Sequence, residues 1–72
     1  MIDEKNESER AKIFFKRKTP VHIIKLNGYF YNGLITEVSS TYFVIKDRKI
    51  KDDFFVLYKE LKKPIEKYQE IA

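Results

Sequence analysis

The sequence predicts a mainly β fold: a short N-terminal α-helix, then a five-stranded, strongly bent antiparallel sheet, all within 72 residues. Three observations predict it. From Val21 onward, extended apolar runs alternate at short spacing with turn signals. Asn27-Gly28 lies between two such runs and is a strong hairpin signal, because a type I′ turn needs positive φ at both central residues. Gly33, five positions beyond Gly28 and inside a strand pattern, reads as a bend or bulge where a side chain would clash. A hairpin followed by a glycine kink curls a small sheet onto itself.

Residues 1–6 read as a flexible tail in which Asp3 and Glu4 outweigh Lys5. Asn6 with Glu9 fits a capping box, so a helix is expected over 7–17, carrying Ala11, Ile13, Phe14 and Phe15. Acidic residues near its start and Lys16-Arg17-Lys18 at its end suit the helix dipole. Thr19-Pro20 stops it, since the residue before proline is pushed out of the α region. Strands are expected over 21–26, 29–38, 41–47, 53–58 and 64–69, and residues 20–70 form the barrel of a single domain. In the second strand Tyr29, Tyr31, Gly33, Ile35 and Glu37 share one face. The run Phe54-Phe55-Val56-Leu57-Tyr58 is apolar throughout, as for a strand buried on both faces or facing a partner. The charged segment 47–53 reads as a solvated connector that needs no function to explain it, and 59–63 as a short link.

A chain of this size buries only about 60% of its unfolded surface, close to the limit of independent stability. It has no cysteine, which excludes a disulfide framework and a cysteine-based zinc site and leaves oligomerisation as the usual way to bury more surface. Five Tyr and six Phe among 72 residues argue for a packed core rather than disorder. The net charge of +4 is compatible with a polyanionic partner and equally with plain solubility. There is no membrane-spanning apolar stretch and no signal-peptide pattern, so a cytoplasmic protein with no membrane partner is expected. His22, the single histidine, has no cysteine or second histidine to form a metal site with, and reads as a surface strand residue. No Ser-His-Asp arrangement or phosphate-binding glycine loop is visible, so no enzyme activity, cofactor or small-molecule substrate is expected.

Over Lys16 to Tyr68 the chain resembles the Sm/LSm superfamily, including bacterial Hfq. The likeness is carried by Val21, Ile23, Gly28, Tyr31, Gly33, Ile35 and Val38, which match the first Sm motif. Lys18-Thr19-Pro20-Val21 leading into Asn27-Gly28 looks like Hfq, and Val56-Leu57-Tyr58-Lys59-Glu60 is similar to its Tyr-Lys-His segment. There are departures. Lys25 stands where a third apolar residue belongs, which suggests a local shift or an aliphatic stem lying along the surface. Ser39 replaces the usual aspartate, Phe43 falls near the usual asparagine, the Arg-Gly pair is missing, and Glu60 replaces the Hfq histidine.

The resemblance implies a homo-oligomeric ring of about six to eight subunits, closed by strand four of one subunit pairing with strand five of the next. It further implies single-stranded RNA as partner, bound by stacking on planar groups, base-edge hydrogen bonds and cations near phosphates. The implied pore-side residues are Ser40, Thr41, Tyr42, Tyr58 and Lys59, with Tyr42 or Thr41 as the stacking residue. A ring of Glu60 carboxylates would repel RNA there. Lys16, Arg17 and Lys18 would form a basic rim, or simply a solvated helix end. Tyr29, Phe30 and Asn32 mark a second face, which binds adenine-rich RNA in Hfq-like rings, though ordinary hydrophobic cover also explains the aromatics. Asn27, Gly28 and Gly33 are assigned to turns. The leading expectation is an RNA chaperone or ribonucleoprotein scaffold. The alternatives are a protein-interaction module on the same small barrel and an SH3-like or OB-like barrel in a larger nucleoprotein particle.

Overall fold

The computed structural model describes residues 2–69; the first residue of the expected tail and the last of the expected barrel lie outside these. Helix α1 (Glu4–Arg17) is followed by β1 (Val21–Ile24), β2 (Phe30–Val38), β3 (Tyr42–Asp47), β4 (Asp53–Leu57), a 3-10 turn at Tyr58–Glu60 and β5 (Glu66–Lys67). The strands form one antiparallel sheet in the order β4-β3-β2-β1-β5, with β4 and β5 as its outer strands.

The helix begins a turn earlier than expected, so residues 4–6 are helical rather than a tail. Asp3, not Asn6, is the N-cap: its Oδ1 accepts from the backbone N–H of Lys5 and Asn6 at 3.0 and 3.2 Å. The earlier start places Glu7 on the buried face, where its Oε1 accepts from the Ile65 N–H at 2.8 Å and ties α1 to the C-terminal segment. At the other end Lys18 adopts the left-handed conformation (φ 52°), and the N–H groups of Lys18 and Thr19 close on Phe14 and Phe15 carbonyls.

The β1–β2 connection is not a type I′ turn, because Gly28 (φ 91°) has positive φ and Asn27 does not. Lys25 and Tyr29 instead bracket a three-residue loop: the Gly28 N–H donates to the Lys25 carbonyl and the Lys25 N–H to the Tyr29 carbonyl. A three-residue hairpin loop closed on a positive-φ glycine is a common alternative to the two-residue turn. The Asn27 side chain accepts the Tyr29 N–H at 3.0 Å. The longer loop ends β1 at Ile24 rather than at residue 26.

Gly33 is required by close approach. A Cβ there would lie 1.8 Å from the Lys46 carbonyl oxygen. The bulge itself falls further on: Ile35 pairs with Ile45 and Glu37 with Val44, leaving Thr36 as the extra residue. The extra residue inverts the facing pattern, so Tyr31, Gly33 and Ile35 turn inward, Glu37 is exposed, and Val38 packs on the core. β4 buries one face, not both: Val56 is buried and Phe54 packs against the core, while Phe55 is 56% exposed. Tyr58 leaves the strand for the 3-10 turn, and β5 is only Glu66–Lys67 instead of 64–69. The core is Ala11 of the helix packed with Val21, Ile23, Ile35, Phe43, Ile45, Val56, Tyr58, Leu61 and Ile65.

Candidate nucleic-acid interface

Three regions carry the residues singled out in the sequence. The first joins the β2–β3 loop to the 3-10 turn. They do converge: the Tyr58 N–H donates to the Thr41 carbonyl at 3.1 Å, and the Tyr58 hydroxyl donates to the Ser39 carbonyl at 2.8 Å. This convergence removes Tyr58 from the candidate contacts. Its ring is fully buried and stacked on Phe43, and burial, with the Glu7 carboxylate adding to it, pushes its hydroxyl pKa up to about 12. Ser40, Thr41 and Lys59 are exposed. Tyr42 is half-buried, with one ring face stacked on Phe55 at 4.4 Å and its hydroxyl donating to Glu37 at 2.7 Å. That bond to a carboxylate raises the Tyr42 pKa.

Glu60 is not the free pore carboxylate expected. Its Oε1 accepts the Leu57 N–H at 3.0 Å and its Oε2 lies 3.3 Å from Lys25 Nζ. The bond from Leu57, with the Lys25 ammonium adding to it, holds the Glu60 carboxyl below the usual range. Lys25 and Glu60, two of the departures from the Sm pattern, are thus one pair, and the Lys25 side chain is largely covered, 16% exposed.

The second region is the basic helix end. Lys16, Arg17 and Lys18 are all exposed. They project where α1 hands over to β1, and Lys18 holds the left-handed cap.

The third region is built on the start of β2. Tyr29 and Phe30 are both exposed, at 65% and 60%. Asn32 pairs across the β1–β2 ladder with His22, and the His22 ring nitrogen Nδ1 is hydrogen-bonded to Asn32 Oδ1. His22 is therefore half-buried and paired, not a simple surface residue, and its ring is tilted against Phe30 at 5.9 Å. A groove of about 500 Å³ runs beside Phe30 and Asn32 to the β3–β4 turn and Tyr68. Arg48 lies over the Tyr68 ring, 4.9 Å from its centroid. Tyr29 does not line this groove.

The segment 47–53, read as a mere connector, is organised by Asp47. Its buried carboxylate accepts from the N–H of Lys49 and Ile50, each at 2.9 Å, and of Asn32 at 3.3 Å. These bonds, that from Ile50 foremost, lower the Asp47 pKa against the opposing effect of burial. An aspartate two and three residues before the N–H groups it caps is a turn signature that the sequence does contain. Tyr68, just beyond the two-residue β5, has no such signal. Among the described residues no cluster of His, Asp and Glu could hold a metal ion, and no helix is long and apolar enough to cross a membrane.

No protein-family model and no curated protein matches the chain.

Proposed function

We propose that the chain is an Sm-like RNA-binding protein that assembles into a homo-oligomeric ring and binds single-stranded RNA without chemical turnover, acting in the cytoplasm as an RNA chaperone or ribonucleoprotein scaffold. The observation that carries the reading is the strand order: β4 and β5 are the two outer strands of one sheet, so among the described residues each has one side with no strand paired to it, although side chains of Asp52 and Glu60 accept the Asp53 and Leu57 N–H groups of β4. Such edges are normally covered or paired. Joining β4 of one copy to β5 of the next satisfies both edges and, if the rotation closes, generates a ring. Phe55, exposed on β4 and stacked on Tyr42, gives that edge apolar surface to bury. The exposed Lys16, Arg17 and Lys18 would be repeated around such a ring, giving a salt-sensitive attraction for phosphates.

A second reading is favoured by one observation. At the β2–β3 loop and the 3-10 turn, the hydroxyls of Tyr42 and Tyr58 and the Glu60 carboxylate are all engaged inside the chain. That withdraws these groups from base reading and leaves the exposed side chains of Ser40, Thr41 and Lys59, an arrangement that would also suit a protein-interaction scaffold on the same barrel.

Light-scattering mass, with and without short poly(U) and poly(A) at two salt concentrations, tests both. A mass of about six to eight subunits, with RNA uptake that weakens at high salt, is expected. Lys16→Ala combined with Arg17→Ala should lower affinity and flatten its salt dependence, whereas Tyr42→Ala should mainly change base preference. A ring that ignores both RNAs would favour the scaffold, and a monomer would remove the Sm-like reading.

A further inference from the structure

We propose that the outer face of β3 and β4 is a docking surface for a second copy of this chain, packed face to face. The inference does not rest on the RNA-binding reading, and it uses a face of the sheet where the ring uses its edges.

Strand pairing fixes which side chains share that face. Phe43, Ile45 and Val56 point into the core, so Tyr42, Val44 and Lys46 of β3 and Asp53, Phe55 and Leu57 of β4 point away from it. The cross-strand pairs on the outer side are Tyr42 with Leu57, Val44 with Phe55 and Lys46 with Asp53. Tyr42, Leu57, Val44 and Phe55 form a continuous apolar strip, and none of the four belongs to the core or packs against it. Phe55 is 56% exposed and stacked on Tyr42, while Val44 and Leu57 are half-buried. Leu34, 41% exposed, flanks the strip on β2 opposite Lys46.

Charge decides what covers the strip. Lys46 and Asp53 are both exposed and directly opposite, yet among the described residues neither is in an ion pair. A cation and an anion side by side make a self-complementary pattern. A two-fold axis between β3 and β4, parallel to both, sets β3 of one copy over β4 of the other. That one operation lays Lys46 on the second copy's Asp53, Val44 on its Phe55 and Tyr42 on its Leu57. Aligned sheets pack in this way about 10 Å apart. An RNA strand finds no such match. With Glu37 exposed on β2 opposite Val44, the face carries two acids to one base, which disfavours a phosphate backbone. Phe55 projects from the face and not along the edge, so pairing leaves the β4 N–H and C=O groups unoccupied. It can therefore join two single chains or two rings.

Only two strands supply the contact, so the pair should be concentration-dependent rather than obligate. Light-scattering mass of the full chain without RNA, followed from dilute to concentrated protein, tests it. The smallest unit of the wild type, one chain or one ring, should double in mass as concentration rises. Lys46→Asp and Asp53→Lys each set like charges against each other and should weaken the doubling about tenfold. The two together restore opposite charges and should recover wild-type pairing, with circular-dichroism melts showing that all three variants fold. A wild type that never doubles would overturn the proposal. So would single reversals that pair as tightly as the wild type, or a double reversal that pairs no better than the singles. An unpaired wild type whose poly(U) binding is lost in Phe55→Ala would give the face to RNA and overturn the proposal too. The ring reading fails on a separate observation, a smallest unit with the mass of one chain.

Discussion

The two ends of the sheet use a buried or half-buried acid in the same way and reach opposite results. At the 3-10 turn, Glu60 accepts the Leu57 N–H and pairs with Lys25, while Tyr58 and Tyr42 send their hydroxyls to Ser39 and Glu37. These groups are satisfied from within, while Ser40, Thr41 and Lys59 stay exposed beside them. At the β3–β4 turn, Asp47 gathers three backbone N–H groups, but what it stabilises is a turn that carries Arg48, Lys49 and Ile50 outward beside the exposed Phe30. The first end spends its hydrogen bonds on the fold; the second uses them to hold side chains that remain open to solvent. A carboxylate in a candidate site therefore says little until its partners are known. Glu60 is no repulsive pore charge, and Asp47 is no idle member of a charged linker.

The comparison breaks most completely at Gly33. Any side chain there meets the Lys46 carbonyl at 1.8 Å, and that atom is backbone in the adjacent strand, unable to swing aside. Gly33→Ala should separate β2 from β3 next to Asp47 and cost about 3 kcal/mol. That is a large share of the roughly 5 kcal/mol available to a domain of this size. Urea denaturation would show the loss as a lower midpoint. An unchanged midpoint would mean that the strands part freely here and that the groove beside Asn32 is not rigid.

Asp47 comes next. Asp47→Ala leaves the N–H groups of Lys49, Ile50 and Asn32 without their acceptor and should cost about 2 kcal/mol. Its pH dependence has a definite sign. Asp47 and Glu60 both have folded-state pKa values below their ordinary ones. The stability they contribute is therefore present above the unfolded carboxylate value, about 4, and is lost as pH falls through the lower folded values. Stability measured from neutral pH down should decline in that acid range. Asp47→Asn, which keeps an acceptor oxygen but cannot titrate, should make the decline shallower. An equal acid slope in wild type and Asp47→Asn would assign the acid sensitivity elsewhere.

These two residues also show what the sequence exposes and what it conceals. The glycine's role in a close approach is readable because glycine weakens a strand interior and is at home there where another backbone passes close by. Its partner, Lys46, comes from a different strand and is not readable. The bulge at Thr36 is hidden because alternation through Ile35 continues smoothly to Glu37, and only the pairing with Val44 reveals the slip. Helix and strand order follow from apolar period and turn residues, so they are legible. The ends are not: Asp3 and Asn6 are both competent caps, and burial of Glu7 against Ile65, far along the chain, decides between them. The same holds for the sites. Tyr58 has the residue type of a stacking platform, but a buried hydrogen bond to Ser39 withdraws it. Arg48 and Tyr68 meet only through the fold.

The smallest effect sharpens the comparison from the other end. Lys25 and Glu60 form a half-exposed ion pair, with side chains 16% and 36% exposed, so solvent still reaches Glu60 and screens part of the attraction. A double-mutant cycle with Lys25→Met and Glu60→Gln should give a coupling below about 1 kcal/mol. Glu60→Ala should cost more than Glu60→Gln, because glutamine keeps an oxygen for the Leu57 N–H and alanine does not; the difference is about 1 kcal/mol. That ordering separates two accounts of why an acid occupies this position. If Glu60 caps the 3-10 turn, the Leu57 hydrogen bond carries its value and Lys25 mainly shields its charge from approaching phosphate. If instead the coupling to Lys25 exceeds the loss in Glu60→Ala relative to Glu60→Gln, the pair is an electrostatic clasp between the hairpin tip and the turn. This end of the sheet would then be held by charge, as the other is held by the hydrogen bonds of Asp47.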